Sequence, residues 1–236
     1  MDLGISVICS TNKTKMLENI INNFISQDYK EKELIIALNY DIKNLKTFST
    51  LPENISVYNL GSKKSLGECL NFSIEKSKYP IIAKFDDDDY YGPMYLSDTI
   101  KSLYKKDIFI VGKSCIYVYF SQEKIIGINN MGRENKYVNR VHGSTLMFKK
   151  DLFHKIKFRN IDLGEDKQFC KDSLENGYKI YSTNKYHYVY MRNNENNHTW
   201  KISNDYIMKQ CVDLNKVENL KEYLAISVNR AKKAYL

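Results

Sequence analysis

The chain has 236 residues, of which 43% are hydrophobic and 27% are charged, and its formal net charge is +8. This length suits one domain with its own hydrophobic core, and the composition excludes a disordered chain, a collagen and a coiled coil. The basic balance favours an anionic partner, such as nucleic acid, a membrane surface or a phosphorylated small molecule, without choosing among them.

The five cysteines are spread through the chain and form no CxxC pair. This spacing argues against a disulfide framework or a zinc site and favours a reducing compartment. The first residues lack the basic segment of a signal peptide, and no apolar run approaches the ~20 residues of a transmembrane helix. We therefore expect a cytoplasmic protein, with peripheral contact at the inner face of a membrane as an open alternative.

The first ninety residues alternate between buried strands and amphipathic helices. Apolar runs predict four strands and helical periodicity predicts two helices, with strands at 5–9, 34–38, 55–60 and 80–85 and helices at 16–25 and 66–77. Such alternation is typical of an α/β domain with a mixed, mostly parallel sheet flanked by helices.

The second half of the chain reads differently. Strand-like and helix-like segments follow one another closely, with strands predicted at 108–113, 116–120, 124–128, 145–148 and 186–192 and helices at 151–155 and 165–176. The polar stretch 129–140 is expected to be a mobile loop. From residue 204 the pattern is amphipathic and basic, which predicts a helical C-terminal tail over 203–236 and a candidate surface for self-association.

Four adjacent aspartates, Asp86 to Asp89, follow directly on the fourth predicted strand. The carboxyl end of a strand in an α/β sheet is where ligand sites usually form. Carboxylate oxygens at this density suit Mg²⁺ or Mn²⁺, which can bridge to phosphates. Lys64, before the second helix, is a candidate contact for such phosphates. A solvated turn or a Ca²⁺-binding turn is the alternative interpretation.

Three further features stand at fixed spacing from the aspartates. The turn Ser10-Thr11-Asn12-Lys13 ends the first strand, Asn71-Phe72-Ser73-Ile74 begins fifteen residues before Asp86, and Gly92-Pro93 follows the cluster. Together these motifs resemble those of the nucleotide-sugar glycosyltransferases of family 2, which have the Rossmann-like GT-A fold. The resemblance extends over roughly residues 4–200. It implies a glycosyltransferase domain at 1–202, with a nucleotide-sugar-binding half at 1–89 and an acceptor-side half at 90–202.

The resemblance implies a donor site and a metal site. The donor-binding residues would be Thr11, Asn12, Asn39, Lys64, Asn71, Asp86 and Asp87. Asp86, Asp88 and His198 would hold Mn²⁺ or Mg²⁺. The sequence departs from the family pattern at Asn39, where acidic residues usually help to hold uridine, and at Leu70, where an arginine is usual.

The acceptor side is implied by two later motifs. The segment from His142 to Lys149 resembles the turn and strand beside the acceptor, which assigns Gly143 and Ser144 to that side. Gly164-Glu165-Asp166 resembles the family's Glu-Asp motif, which adds Glu165 to the acceptor side and makes Asp166 the general base of an inverting enzyme.

The expected function is metal-dependent transfer of a sugar from a nucleoside-diphosphate sugar to a hydroxyl of an acceptor. A UDP-sugar is the favoured donor, and the acceptor would be a glycan, a lipid-linked molecule or a protein. No nucleic-acid partner is expected. Motifs of dehydrogenases, P-loop NTPases, zinc proteases and α/β-hydrolases are absent from the sequence. Two alternatives stay open. One is a nucleotidyltransferase that uses the same aspartates, and the other is a non-catalytic basic α/β binding protein or degenerate transferase.

Overall fold

The computed structural model describes residues 3–41, 51–105, 107–193, 201–220 and 222–224. Thirteen strands are found there, β1 Ile5–Thr11, β2 Lys32–Leu38, β3 Ile55–Asn59, β4 Ile81–Lys84, β5 Tyr90–Tyr91, β6 Ile108–Gly112, β7 Ile116–Phe120, β8 Ile125–Asn129, β9 Lys136–Val138, β10 Met147–Lys149, β11 Lys179–Ser182, β12 Tyr188–Arg192 and β13 Cys211–Lys216. The α-helices described are α1 Leu17–Ile25, α2 Leu66–Lys76, α3 Tyr95–Thr99, α4 Glu165–Glu175 and α5 Asn204–Met208. Short 3₁₀ turns lie at Thr14–Met16, Ile100–Tyr104, Gly143–Thr145 and Lys150–His154.

The larger sheet has eight strands in the order β3-β2-β1-β4-β10-β6-β11-β9. The strands predicted in the first ninety residues form its parallel half, in which Val7 lies between Leu34 of β2 and Ala83 of β4. β10 then runs antiparallel to β4 and β6. Because β1, β2 and β4 are parallel, the polar residues that follow them meet at one edge of the sheet.

Apolar layers cover both faces of this sheet. On one face, Ile20 and Phe24 of α1 pack in a cluster with residues of a second, smaller sheet. On the other face, Leu70 of α2 and Phe169 of α4 pack against Ile8 and Ile82. The two-faced burial explains why β1, β2 and β4 read as continuous apolar runs.

The smaller sheet has five strands in the order β13-β8-β7-β12-β5. Its strands β7, β8 and β12 lie in segments predicted as strands, although the sequence did not indicate that they form a separate sheet. β5 comes directly after the aspartates and pairs with β12. The smaller sheet therefore holds one end of the aspartate turn.

The prediction of a helical tail from residue 203 is wrong at β13. Cys211–Lys216 pairs antiparallel with β8, with a register irregularity between Val212 and Asn215. The free edge of β8 offers backbone hydrogen-bond partners, and this pairing outweighs the helical periodicity of the segment. Residues 225–236, which include most of the proposed self-association surface, lie outside the described residues.

The stretch 129–140, predicted as a loop, contains strand β9 at Lys136–Val138. β9 pairs with the outer edge of β11 and leaves Tyr137 largely exposed. An exposed edge strand needs no apolar run, which is why the sequence pattern did not reveal it. None of the helices in the described parts of the chain is long and apolar enough to cross a membrane. All five cysteines are buried, free thiols.

Candidate donor and acceptor site

Residues from β1 and from the aspartate turn meet at the carboxyl edge of the larger sheet. The Thr11 hydroxyl donates to Oδ2 of Asp87 over 2.5 Å and also accepts from the backbone N–H of Lys13 over 3.0 Å. On α1, the side-chain amide of Asn19 donates to the backbone carbonyl of Asp87 over 2.8 Å. Thr11 and Asp87, which the sequence analysis assigned to the donor site, are thus in direct contact.

The four aspartates divide into different environments. Asp89 is buried, and its carboxylate accepts from the Tyr188 hydroxyl over 2.6 Å and from the backbone N–H of Met191 over 3.0 Å. These bonds hold the turn to β12. The Asp86 and Asp88 side chains are 40% and 14% exposed. Asp86 and Asp88 therefore remain accessible to a ligand, whereas Asp89 is structural.

Negative charge is concentrated at this turn. Burial and the neighbouring Asp88 raise the pKa of Asp87 to about 6, against the lowering effect of the Thr11 hydrogen bond. The Lys13 ammonium lies 3.8 Å from Asp88. Adjacent carboxylates repel one another, and a bound cation would offset this repulsion.

A buried chain of hydrogen bonds joins the aspartate turn to the turn at residues 143–145. The Tyr91 hydroxyl accepts from the backbone N–H of Asp86 over 2.8 Å and donates to the Ser144 carbonyl over 2.7 Å. The Ser144 hydroxyl lies 2.6 Å from the Tyr188 hydroxyl, which donates to Asp89. The predicted donor side and the predicted acceptor side are thus connected through two tyrosines.

The Glu-Asp motif forms the first turn of α4. Glu165 is buried, and burial raises its pKa to about 7 although the nearby Lys84 lowers it. Asp166 is half-buried and lies against Gly143, since a Cβ placed on Gly143 would come 2.3 Å from Oδ2 of Asp166. Burial and Arg140 lower the pKa of the adjacent His142 to about 4, against the raising effect of Asp166, so this imidazole is neutral at neutral pH. The absence of a side chain at Gly143 is what lets Asp166 approach the acceptor-side turn.

Lys84 is a site residue that the sequence interpretation missed. Its side chain is 4% exposed, and its ammonium contacts the carboxylate of Asp86 and lies 3.9 Å from Oε1 of Glu165. Burial alone would lower the pKa of this lysine, but Asp86 and Glu165 outweigh burial and raise it above its ordinary value. A lysine inside the apolar run 80–85 was the available signal, because a charged residue on a buried strand needs partners.

Other predicted donor residues occupy varied positions. The Asn71 amide is used within the fold, since Nδ2 donates to the Phe158 carbonyl over 2.8 Å and Oδ1 accepts from the Phe158 N–H over 3.0 Å. Lys64 is exposed and pairs with Glu68 over 2.8 Å. Asn12 is exposed on the turn after β1. The structure therefore does not bring Asn71 or Lys64 to the aspartate turn.

Two polar atoms after β2 are buried without a hydrogen-bond partner in the described parts of the chain. They are Oδ1 of Asn39 and the hydroxyl of Tyr40. The backbone N–H of Asn39 is bonded to the carbonyl of Thr11 over 3.2 Å, which places Asn39 beside the end of β1. Because buried polar atoms are nearly always satisfied, this pair is suited to receive a polar ligand.

The residues present fit a divalent cation that is held partly by its substrate. No three His, Cys, Asp or Glu side chains of the described residues form a complete metal site. Mg²⁺ is commonly bound through one or two carboxylates together with substrate phosphates, and Asp86 and Asp88 can supply these carboxylates. His198, the third predicted ligand, lies outside the described residues.

The comparisons with known proteins agree with this arrangement. A family model described as glycosyl transferase family 2 matches residues 6–157, which include β1, the aspartate turn and β10. The chain belongs to glycosyl transferase family 2. The resemblance inferred from the motifs is thereby confirmed. The matched residues end before Glu165 and Asp166.

A curated family relative is the O-antigen biosynthesis glycosyltransferase WbnJ of Escherichia coli. It is 30% identical over 162 residues, which make up 64% of this chain and 63% of that enzyme. The matched part of the chain thus spans less than two thirds of this relative.

Solved structures confirm the fold of this family 2 chain. The mannosyltransferase PcManGT of Pyrobaculum calidifontis, in complex with GDP-Man and Mn²⁺, has a TM-score of 0.61 at 15% identity over 81% of this chain and 57% of its own. S. aureus TarS 1–349 with UDP-GlcNAc has a TM-score of 0.61 at 16% identity over 80% of this chain and 59% of its own. The chain therefore has the expected GT-A fold.

Proposed function

We propose that this family 2 member uses a divalent cation to transfer a hexosyl group from a nucleoside-diphosphate sugar to an acceptor hydroxyl, with inversion at the anomeric carbon. The observation that carries the proposal is the contact of Lys84 with Asp86 and Glu165. This contact sets the aspartate turn beside the first turn of α4. A carboxylate for the donor and a carboxylate for the acceptor then face one reaction site.

The donor nucleotide would lie across the ends of β1 and β2. The unpartnered Oδ1 of Asn39 can accept a ring N–H of a base, and the Tyr40 hydroxyl can bond a base or ribose oxygen. Uracil and guanine both carry such an N–H. We favour UDP-sugars, in line with the UDP-GlcNAc complex of TarS, whereas PcManGT was solved with GDP-Man. Thr11, Asn12 and the main chain beside Asp87 would complete this side.

Asp86 and Asp88 would hold Mn²⁺ or Mg²⁺ together with the donor diphosphate. The cation, when bound, neutralises the charge that develops on the diphosphate leaving group. The Mn²⁺ in the PcManGT complex supports this assignment. The carboxylates of Asp86 and Asp88, whose side chains are 40% and 14% exposed, supply the negative charge that such a cation needs.

Asp166 is proposed as the general base. It would take the proton of the acceptor hydroxyl, whose oxygen forms the new bond to the anomeric carbon while the bond from that carbon to the diphosphate oxygen breaks. Attack from the face opposite the leaving group inverts the anomeric configuration.

The acceptor is proposed to be a glycan, by comparison with the O-antigen biosynthesis enzyme. Gly143 and Ser144 would border it, opposite Glu165. We place the reaction in the cytoplasm, because the five cysteines are free thiols.

Asp166→Asn tests the role of the base, with Asp205→Asn as its matched control. Asp205 is the second residue of α5, as Asp166 is of α4, so both variants remove a first-turn charge. Nucleoside-diphosphate release should be followed for UDP-, GDP-, CDP- and dTDP-sugars with a panel of monosaccharide and oligosaccharide acceptors. Asp166→Asn should lose a factor on the order of 10² to 10⁴ in transfer while its donor affinity changes by less than about threefold.

Three results would contradict the proposal. The first is full transfer by Asp166→Asn, and the second is loss of donor binding in that variant. The third is an NMR-determined product with the donor's anomeric configuration, because retention is incompatible with a single displacement. Release of pyrophosphate in place of a nucleoside diphosphate would indicate a nucleotidyltransferase.

A further inference from the structure

Lys84 lies where a buried α/β sheet normally carries an apolar side chain. It is the last residue of β4 and follows Ile81, Ile82 and Ala83, which are all buried. Ile82 packs in the same cluster as Phe169 of α4. Because side chains two apart on a strand share a face, Lys84 points toward α4.

The Lys84 ammonium lies between two acidic side chains that are far from each other in the sequence. One is Asp86, on the aspartate turn, and the other is Glu165, whose side chain is 6% exposed and lies 3.9 Å away. Glu165 is the first residue of α4 and precedes Asp166. Lys84 therefore contacts both segments that the proposed reaction must hold at a fixed separation.

Stability alone does not explain a lysine at this position. Replacement of a buried ion pair by apolar side chains is often neutral or stabilising, because desolvation offsets the attraction. A cation near the start of α4 is also unfavourable to the helix, since helix N-termini carry partial positive charge. What the lysine does supply is a direct link between the aspartate turn and the first turn of α4. Fixing one relative arrangement of two segments is the best-attested use of buried ion pairs.

We propose that Lys84 is a positioning residue for sugar transfer, which ties the start of α4 to the aspartate turn so that Asp166 faces the donor at the reacting distance. This inference rests on the proposed function. Lys84 itself contacts neither the donor nor the acceptor hydroxyl in this role. Its loss should therefore reduce kcat far more than it changes donor affinity.

Lys84→Met removes the charge and keeps an unbranched side chain that is one atom shorter, and Lys113→Met is its matched control. Lys113 is also a buried lysine just after a strand, but its ammonium bonds the Thr183 hydroxyl over 3.3 Å and the Asn184 carbonyl over 2.7 Å. We expect kcat of Lys84→Met to fall about 100-fold, as for a misplacement of about 1 Å, with donor KM and nucleotide Kd within about threefold of wild type. Lys113→Met should lower the thermal midpoint and keep kcat within about threefold.

Two more variants separate positioning from folding. Lys84→Arg, which can still contact both carboxylates, should recover roughly tenfold of the lost kcat. Glu165→Gln alone should lower kcat, and in the Lys84→Met background it should cause no further loss, because both changes break the same link. If Lys84→Met does not fold, the single variants decide the matter, because Glu165→Gln should lower kcat with nucleotide Kd within about threefold of wild type and Lys84→Arg should keep kcat within about tenfold of wild type.

The inference is overturned if folded Lys84→Met transfers sugar at the wild-type rate, or if nucleotide Kd rises by the factor by which kcat falls. It is also overturned if Lys84→Arg recovers nothing or if the losses of Lys84→Met and Glu165→Gln simply multiply. Absence of transfer by the wild type with every donor would instead refute the proposed function.

Discussion

Substitution of Gly143 by alanine tests the contact between the acceptor-side turn and the start of α4. The added Cβ would lie 2.3 Å from Oδ2, 2.5 Å from Cβ and 2.6 Å from Cγ of Asp166. Rotation of the carboxylate cannot relieve the contact with Cβ, so α4 or the turn must move. Restoring ordinary van der Waals separation requires a displacement of about 1 Å.

A shift of that size at a reacting group costs about 100-fold in rate, which corresponds to roughly 2.7 kcal/mol of activation free energy. Overpacking of a buried turn should also lower the free energy of unfolding by about 1–3 kcal/mol. Steady-state transfer kinetics and chemical denaturation would measure the two effects. Donor affinity should change little, because the proposed donor side consists of β1, β2 and the aspartate turn.

Gly92→Ala is the matched control. A Cβ on Gly92 would meet His187 at an ordinary 3.4 Å, and Gly92 closely follows the aspartate turn. This variant should keep kcat within about threefold of wild type. If Gly143→Ala were equally active, or lost activity only through weaker donor binding, the placement of Asp166 against this turn would be refuted as a requirement for transfer.

Two further predictions concern buried polar groups. Tyr188→Phe removes the hydroxyl that bonds Asp89 and lies beside Ser144. It should lower the free energy of unfolding by about 1–3 kcal/mol, whereas Tyr206→Phe, at an exposed position, should not. Equal stability of the two variants in urea denaturation would contradict the hydrogen-bond network. Burial raises the pKa of Glu165 from 4.5 to about 7. Between pH 4.5 and about pH 7 the folded state therefore retains a proton that the unfolded state has lost, and the free energy of unfolding of metal-free wild type should fall as pH rises through this range. In Glu165→Gln, the fall in the free energy of unfolding between about pH 5 and pH 8 should be smaller by about 1–3 kcal/mol. An equal fall in the variant and the wild type would show that Glu165 is not the group responsible.

The parallel half of the fold was predictable because its strands are buried on both faces. Residues 5–9, 34–38 and 80–85 read as continuous apolar runs, and the aspartates that follow the last run had to lie at the carboxyl edge of the sheet. Only Cys211 is buried in β13, by contrast, so this segment lacks the alternation of a half-buried strand and its pattern indicated a helix instead. Its conformation is determined by the free edge of β8.

The contacts within the site depend on topology that sequence spacing does not contain. Lys84 and Glu165 are far apart in sequence and meet because β4 and α4 pack at the same sheet edge. Asn71 has the spacing of the family motif, yet its amide bonds the backbone of Phe158. Motif spacing thus assigned Asn71 to the donor side but did not reveal that its amide is used within the fold.

Calorimetric titration of UDP, GDP, CDP and dTDP, each with Mn²⁺ and with EDTA, tests whether the aspartate turn binds a nucleotide through a metal ion. Wild type should be compared with Asp88→Asn and with Asp151→Asn, an exposed residue just after β10 at the opposite edge of the sheet. We expect that one nucleotide binds only with Mn²⁺, that Asp88→Asn weakens this binding on the order of tenfold or more, and that Asp151→Asn leaves it unchanged. Absence of binding by every nucleotide, or binding that is insensitive to both EDTA and Asp88→Asn, would contradict a metal-assisted nucleotide-sugar site at the aspartate turn.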